Sequence, residues 1–188
     1  MSSLCDVLIR GFLTAWGYFF FVLGCVVWGG VVIPVTLVLS RFWPSVLDRF
    51  NDLTRITLGT YIRLLPFLRL SVDRTGKLSD GSRVLVANHQ SWLDPIIMLS
   101  LERRLSGPAR GYLFRTPILR SVLKLGRFYL SDKGEPAPLD RMRQSVQDAL
   151  NRNGTLLFYP EGTRTRTGEI GDFHNGAFRM AVEYKLPI

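Results

Sequence analysis

Thirty consecutive residues, from Gly11 to Ser40, carry no charge, and Arg10 and Arg41 bracket them. As a straight helix that run is about 45 Å long, more than the roughly 30 Å of a hydrocarbon core requires. It has the length to span a bilayer with tilt, or to bend at Gly29-Gly30 or Pro34 and return as a re-entrant helical hairpin, and the pattern leaves both open. A cleaved signal peptide fits less well, because the apolar region is too long and its start is poorly basic. From residue 46 to 70 the pattern changes: Val46, Leu47, Phe50, Leu53, Ile56, Leu58, Ile62, Leu65 and Leu68 mix with arginines. That is the composition of a helix lying in a membrane interface, or of one packed on a protein core, with Pro66 as its interruption.

Gly76, Ser79, Asp80 and Gly81 then mark a turn-rich connector. It divides the chain into membrane-embedding and interfacial helices over 1–75 and a second domain over 76–188. In that second part, short apolar runs alternate with amphipathic stretches. The pattern predicts strands over 83–87, 111–114, 127–130 and 155–159, and helices over 95–101, 117–125 and 139–151. Asp94-Pro95 reads as a helix start, with Asp94 as N-cap and Pro95 in the first helical position. Such alternation predicts an α/β fold, a mixed and largely parallel sheet flanked by helices, with function at the strand ends.

Composition adds two constraints. Lys and Arg number 24 against 15 Asp and Glu, a net charge of +9, which suits nucleic acid or an anionic membrane surface. No recognised nucleic-acid module accompanies that charge, so no nucleic acid is expected as a partner. Arg41, Arg49, Arg55, Arg63, Arg69 and Arg74 follow the apolar stretch whereas only Arg10 precedes it, which assigns the C-terminal bulk to the cytoplasmic face. The two cysteines, Cys5 and Cys25, and the two histidines, His89 and His174, form neither a disulfide framework nor a zinc spacing, so no metal is expected. Residues 103–133 hold eight basic side chains and one acid, Asp132. That cluster suits a phosphate, an acidic acyl donor, bilayer headgroups or a merely solvated face.

The candidate chemistry begins at His89, at the exit of a predicted strand, five residues before Asp94. Within one helix those side chains would sit well apart around the axis, but a strand end, a turn and a helix start can bring them together. Asp94 would then accept a hydrogen bond from one ring nitrogen and fix the tautomer, leaving the other free to take a proton. A second polar turn, Glu161-Gly162-Thr163-Arg164, follows another strand. Its glycine lets backbone approach a ligand, and Arg164 offers a bidentate grip on phosphate, with Arg166 as a second candidate and Glu161 a possible support for either.

Asn88-His89-Gln90-Ser91-Trp92-Leu93-Asp94 resembles the first block, and Tyr159-Pro160-Glu161-Gly162-Thr163-Arg164 the third, of the glycerolipid acyltransferase family that includes 1-acylglycerol-3-phosphate acyltransferases. The likeness covers residues 80–188. Two positions depart from it: Tyr159 stands where Phe is usual, and Asp132 where the second block ends in arginine, with Lys133 one step later. The resemblance implies a membrane-bound enzyme of phospholipid biosynthesis. Such an enzyme moves an acyl chain from a thioester, of coenzyme A or of a carrier protein, to the hydroxyl of a lysophospholipid, lysophosphatidic acid foremost. It further implies that His89 is the general base, that Asp94 orients it, and that Glu161, Gly162, Thr163 and Arg164 help bind the acceptor, with no metal or organic cofactor. His174 falls where the family has a basic residue and reads as a minor contact or a surface group. Leu186-Pro187-Ile188 resembles the start of a fourth block, so the natural chain is expected to extend past Ile188. Open alternatives are another lysolipid acceptor such as an amino-acid-containing one, a hydrolase using the same pair, and a non-catalytic basic protein held at the bilayer.

Overall fold

The computed structural model describes residues 4–73, 81–132, 138–165 and 169–188. Helix α1 (Leu4–Val27) runs into one π turn (Trp28–Val32) and on through α2 (Ile33–Leu39). The Ile33 N–H reaches back to the Trp28 carbonyl, five residues earlier. A widened turn of this kind accommodates the donor missing at Pro34, so neither Gly29-Gly30 nor Pro34 reverses the chain. Of the two courses left open, the chain takes the unbroken one: a single continuous helical stretch, Leu4–Leu39, long and apolar enough to cross a membrane. Only 11% of its most apolar 18 residues is buried inside the protein.

The chain turns back instead at residues 40–45, and α3 (Val46–Arg63) returns along α2 and α1. Trp28 meets Phe50 edge-to-face at 5.1 Å, Phe21 lies 6.3 Å from Tyr61, and the Trp16 indole N–H donates to the Leu64 carbonyl at 2.8 Å. Helix α3 ends at Arg63, ahead of Pro66. Gly76, Ser79 and Asp80 of the expected connector lie outside the described residues.

Beyond the connector, β1 (Arg83–Val86), β5 (Thr155–Phe158) and β2 (Leu105–Ser106) form a parallel sheet in the order β1-β5-β2, with Val86 opposite Phe158 and Leu105 opposite Thr155. After Gly107 the same run of chain becomes β3 (Pro108–Ala109), which pairs in parallel with β4 (Tyr129–Leu130). The helices are α4 (Asp94–Leu101), α5 (Pro117–Leu125), α6 (Pro138–Asn151) and α7 (Gly176–Tyr184). The parallel α/β arrangement expected from the alternation of elements is therefore the one observed.

Two local expectations are corrected. Residues 111–114 are not a strand but part of a 3₁₀ turn, Gly111–Arg115, because the Asp132 carboxylate accepts the Gly111 N–H at 3.0 and 3.2 Å and closes the chain into a turn there. The strand pairing ends two residues earlier, in the short β2 and β3 that the pattern did not reveal. Arg127 adopts a left-handed φ of 62° after Gly126, so β4 begins only at Tyr129.

Period-two positions on the strands meet helical ridges to make the main core. Val84, Leu156 and Phe158 pack against Val146 and Ala149 of α6 and Ala177, Met180 and Ala181 of α7. A second cluster joins Trp28, Ile33 and Phe50 to Leu125, with Ile118 and Val122 beside it. The apolar N-terminal helices are thus packed onto α5. Arg103 adds a two-pronged ion pair to Asp52 of α3, at 3.0 and 2.8 Å.

Candidate active site

Three carboxyl ends of parallel strands supply the site. The Ala87 N–H bonds the Phe158 carbonyl at 3.1 Å, extending β1 by one residue before the chain turns. Asp94 then opens α4, yet its side chain does not cap that helix as expected. Its Oδ2 faces backward, receiving the Gln90 and Ser91 N–H groups at 2.7 Å each and lying 3.0 Å from His89 Nδ1. The preceding turn offers two unpaired backbone donors and an imidazole, which together outcompete the helix's own N–H groups.

Burial pushes the Asp94 carboxyl upward, but the Ser91 N–H, the His89 ring and the Gln90 N–H outweigh it and hold the group below the ordinary carboxylate range. An ionised carboxylate only accepts, so Nδ1 carries the proton of the His89–Asp94 bond and Nε2 is the basic nitrogen. The two side chains remain 19% and 24% exposed, so the ring is reachable.

This has a consequence for acid stability. The folded-state pKa of Asp94 lies below its unfolded value of about 3.9, so the contribution is complete above that pH and disappears as pH falls through the lower folded value. The thermal midpoint of wild type is expected to exceed that of Asp94→Asn at pH 7 and to converge on it below pH 4. Unfolding scans in detergent across that range measure the gap, and a gap independent of pH would refute the assignment.

Tyr159, the first residue past β5, stacks on His89 with ring centroids 4.3 Å apart and planes 24° apart. Its hydroxyl is buried with no hydrogen-bond partner among the described residues. Burial, and after it the Asp94 charge, pushes the phenol far above its ordinary value, so it keeps its proton.

The turn that follows is fastened at several points. Gly162 sits at φ +65°, a left-handed conformation that favours glycine, and a Cβ there would come within 3.1 Å of the His174 ring. The Arg110 guanidinium donates to the Gly162 carbonyl, and the Thr165 N–H donates to the His89 carbonyl at 2.9 Å. The exposed His174 donates its own N–H to the Pro160 carbonyl. Glu161 is buried; Oε2 accepts the Gly171 N–H at 3.1 Å and Oε1 has no partner among the described residues. The Gly171 bond therefore secures the loop after the turn. Thr163 and Arg164 are exposed, and the Arg164 guanidinium lies over the Trp92 ring, 4.3 Å from its centroid.

His89, Asp94, Glu161, Gly162, Thr163 and Arg164 thus share one edge of the sheet. Arg166 and Lys133 lie outside the described residues. Arg110, at the end of β3, joins this edge, and nothing in the chain's pattern separates it from the surrounding basic run. Asp132, in place of the resemblance's arginine, turns toward the Gly111 backbone.

The acyltransferase family model matches residues 69–188, well over half of the chain and including both turns. The chain belongs to the acyltransferase family. Among the relatives of this chain, a chloroplastic 1-acyl-sn-glycerol-3-phosphate acyltransferase of Arabidopsis thaliana is 28% identical over 65% of this chain and 35% of its own length. A chloroplastic counterpart from Brassica napus is 25% identical over 87% of this chain and 50% of its own length. The 1-acyl-sn-glycerol-3-phosphate acyltransferase of Saccharomyces cerevisiae is 30% identical over 68% of this chain and 43% of its own length. The chain thus spans about half or less of these curated relatives. In structure, the chain resembles the 1-acyl-sn-glycerophosphate acyltransferase of Thermotoga maritima, with a TM-score of 0.69 at 20% identity, over 95% of this chain and 71% of that one. That likeness is one of fold.

Proposed function

We propose that this acyltransferase moves a fatty acyl chain from a thioester to the free hydroxyl of 1-acylglycerol-3-phosphate, with the site facing the cytoplasm. The observation that carries the reading is the hydrogen-bonded His89–Asp94 pair on the same sheet edge as Arg110 and Arg164. His89 Nε2 takes the acceptor's hydroxyl proton as the oxygen attacks the thioester carbonyl. Asp94 steadies the imidazolium that forms. Collapse of the tetrahedral adduct breaks the C–S bond, and the imidazolium returns its proton to the departing thiolate, giving ester and free thiol. The thioester itself carries the activation, so no organic cofactor is invoked.

Arg164 and Arg110 supply cationic donors suited to a phosphate monoester. The relatives' names point to the same acceptor. Acceptor and product are both bilayer lipids. A helix over Leu4–Leu39 that anchors the protein removes the need to extract an acyl chain, which costs on the order of 0.8 kcal/mol per CH₂.

The test incubates the full chain in phospholipid vesicles with labelled acyl-coenzyme A or acyl carrier protein and a panel of lysolipids. Label is expected in the diacyl product of the phosphate-headed acceptor, at least tenfold above the zwitterionic and amino-acid-bearing acceptors. Free fatty acid appearing in place of diacyl lipid would establish a hydrolase instead.

A further inference from the structure

Trp92, the large aromatic of the histidine turn, lies outside both core clusters. It is 56% exposed, two positions before Asp94, and it carries the Arg164 guanidinium on its face at 4.3 Å. Tyr112, 50% exposed on the 3₁₀ turn, meets the indole edge-to-face at 5.9 Å with planes 80° apart. Three side chains from three separate segments, the turns after β1 and β5 and the 3₁₀ turn after β3, therefore form one stack at the mouth of the site. An exposed arginine ordinarily samples many rotamers, and binding an anion must select one of them. A guanidinium lying over an aromatic face is attracted by the ring's negative quadrupole, while its N–H donors, which lie in its own plane, stay available at the rim.

We propose that Trp92 is a positioning residue that holds the Arg164 guanidinium ready for the phosphate of the acceptor lipid, so that acceptor affinity depends on Trp92 through Arg164. The inference rests on the reading of Arg164 as an acceptor ligand. The Thr165 N–H bond to the His89 carbonyl, 2.9 Å long, keeps the two turns in register, so the stack ties the phosphate end of the acceptor to the histidine that receives its proton. Tyr112 limits sliding of the indole and completes the platform.

The experiment is a double-mutant cycle on the full chain in vesicles, with 1-acylglycerol-3-phosphate as the probe, and circular dichroism to verify folding. Trp92→Ala is expected to raise the acceptor KM about two- to fivefold, the scale of an exposed cation–π contact, with kcat and the donor KM unchanged. Trp92→Phe, which keeps an aromatic face, should stay within about 1.5-fold of wild type. Arg164→Ala should raise the acceptor KM, and adding Trp92→Ala to it should change nothing more. Multiplying effects in the double variant, or a rise in donor KM, would overturn the coupling while leaving Arg164 as a ligand. An unchanged acceptor KM in Arg164→Ala would overturn the reading of Arg164, and the inference with it.

Discussion

His89→Ala is expected to lower kcat for acyl transfer by about 10²- to 10⁴-fold, with the KM values for both substrates within a few-fold of wild type. The size follows from the role: the imidazole moves a proton in the transition state but contributes little to ground-state binding, so its loss falls on kcat. Asp94→Asn tests the partner. The amide preserves shape, but it can turn its NH₂ toward Nδ1, favouring the tautomer that protonates Nε2 and leaves no base facing the substrate. It also weakens the acceptor of the Gln90 and Ser91 N–H groups, so the turn itself loosens. A loss of similar order in kcat, and near-equality of the double variant with either single one, is the expected pattern. Initial rates from single and double variants decide it, and wild-type kcat in both single variants would dispose of the histidine mechanism.

Gly107→Ala should cost the fold rather than the chemistry. Gly107 links β2 to β3 and is buried, and a Cβ built on it would lie 2.3 Å from the Leu157 carbonyl oxygen of the neighbouring strand. That oxygen belongs to backbone in the middle of β5, so no side-chain rotation relieves the contact and the strands must separate. Forced overpacking of this kind costs about 3 kcal/mol or more, a large share of the stability of an ordinary domain. A fall of about 6–12 °C in the thermal midpoint is expected, measured in detergent by circular dichroism. Gly24→Ala is the control, since no atom lies within 4 Å of the Cβ it would add and alanine favours a helix, so the midpoint should hold or rise by up to about 4 °C. Equal midpoints for the two variants would contradict the described approach of β2 to β5.

The difference between these two positions also separates what the chain declares locally from what it does not. Helices 117–125 and 139–151 and the strands at 83 and 155 follow from the local apolar pattern, and the N-terminal segment from the length of its uncharged run, because each signal is written along the element's own residues. Strands β2 and β3 are two residues each, too short for any alternation to register. The 3₁₀ turn at 111–115 has no local signature for a related reason: the carboxylate that closes it comes from Asp132, 21 residues later.

The site divides in the same way. Sequence alone singled out His89 with Asp94, and Glu161 to Arg164, because each group lies within a few residues of a strand end and local geometry limits where such side chains can go. It suggested the bond from the His89 ring to Asp94, but not that Asp94 would also take the Gln90 and Ser91 N–H groups instead of capping α4, or that Tyr159 would lie flat on the imidazole. Nor did it bring Arg110 to the Gly162 carbonyl or set Arg164 on Trp92. Those contacts join segments up to 72 positions apart, from Trp92 to Arg164. A local pattern encodes which face of an element is apolar, but the partner across the sheet edge depends on strand order and register, and those come from packing the whole chain.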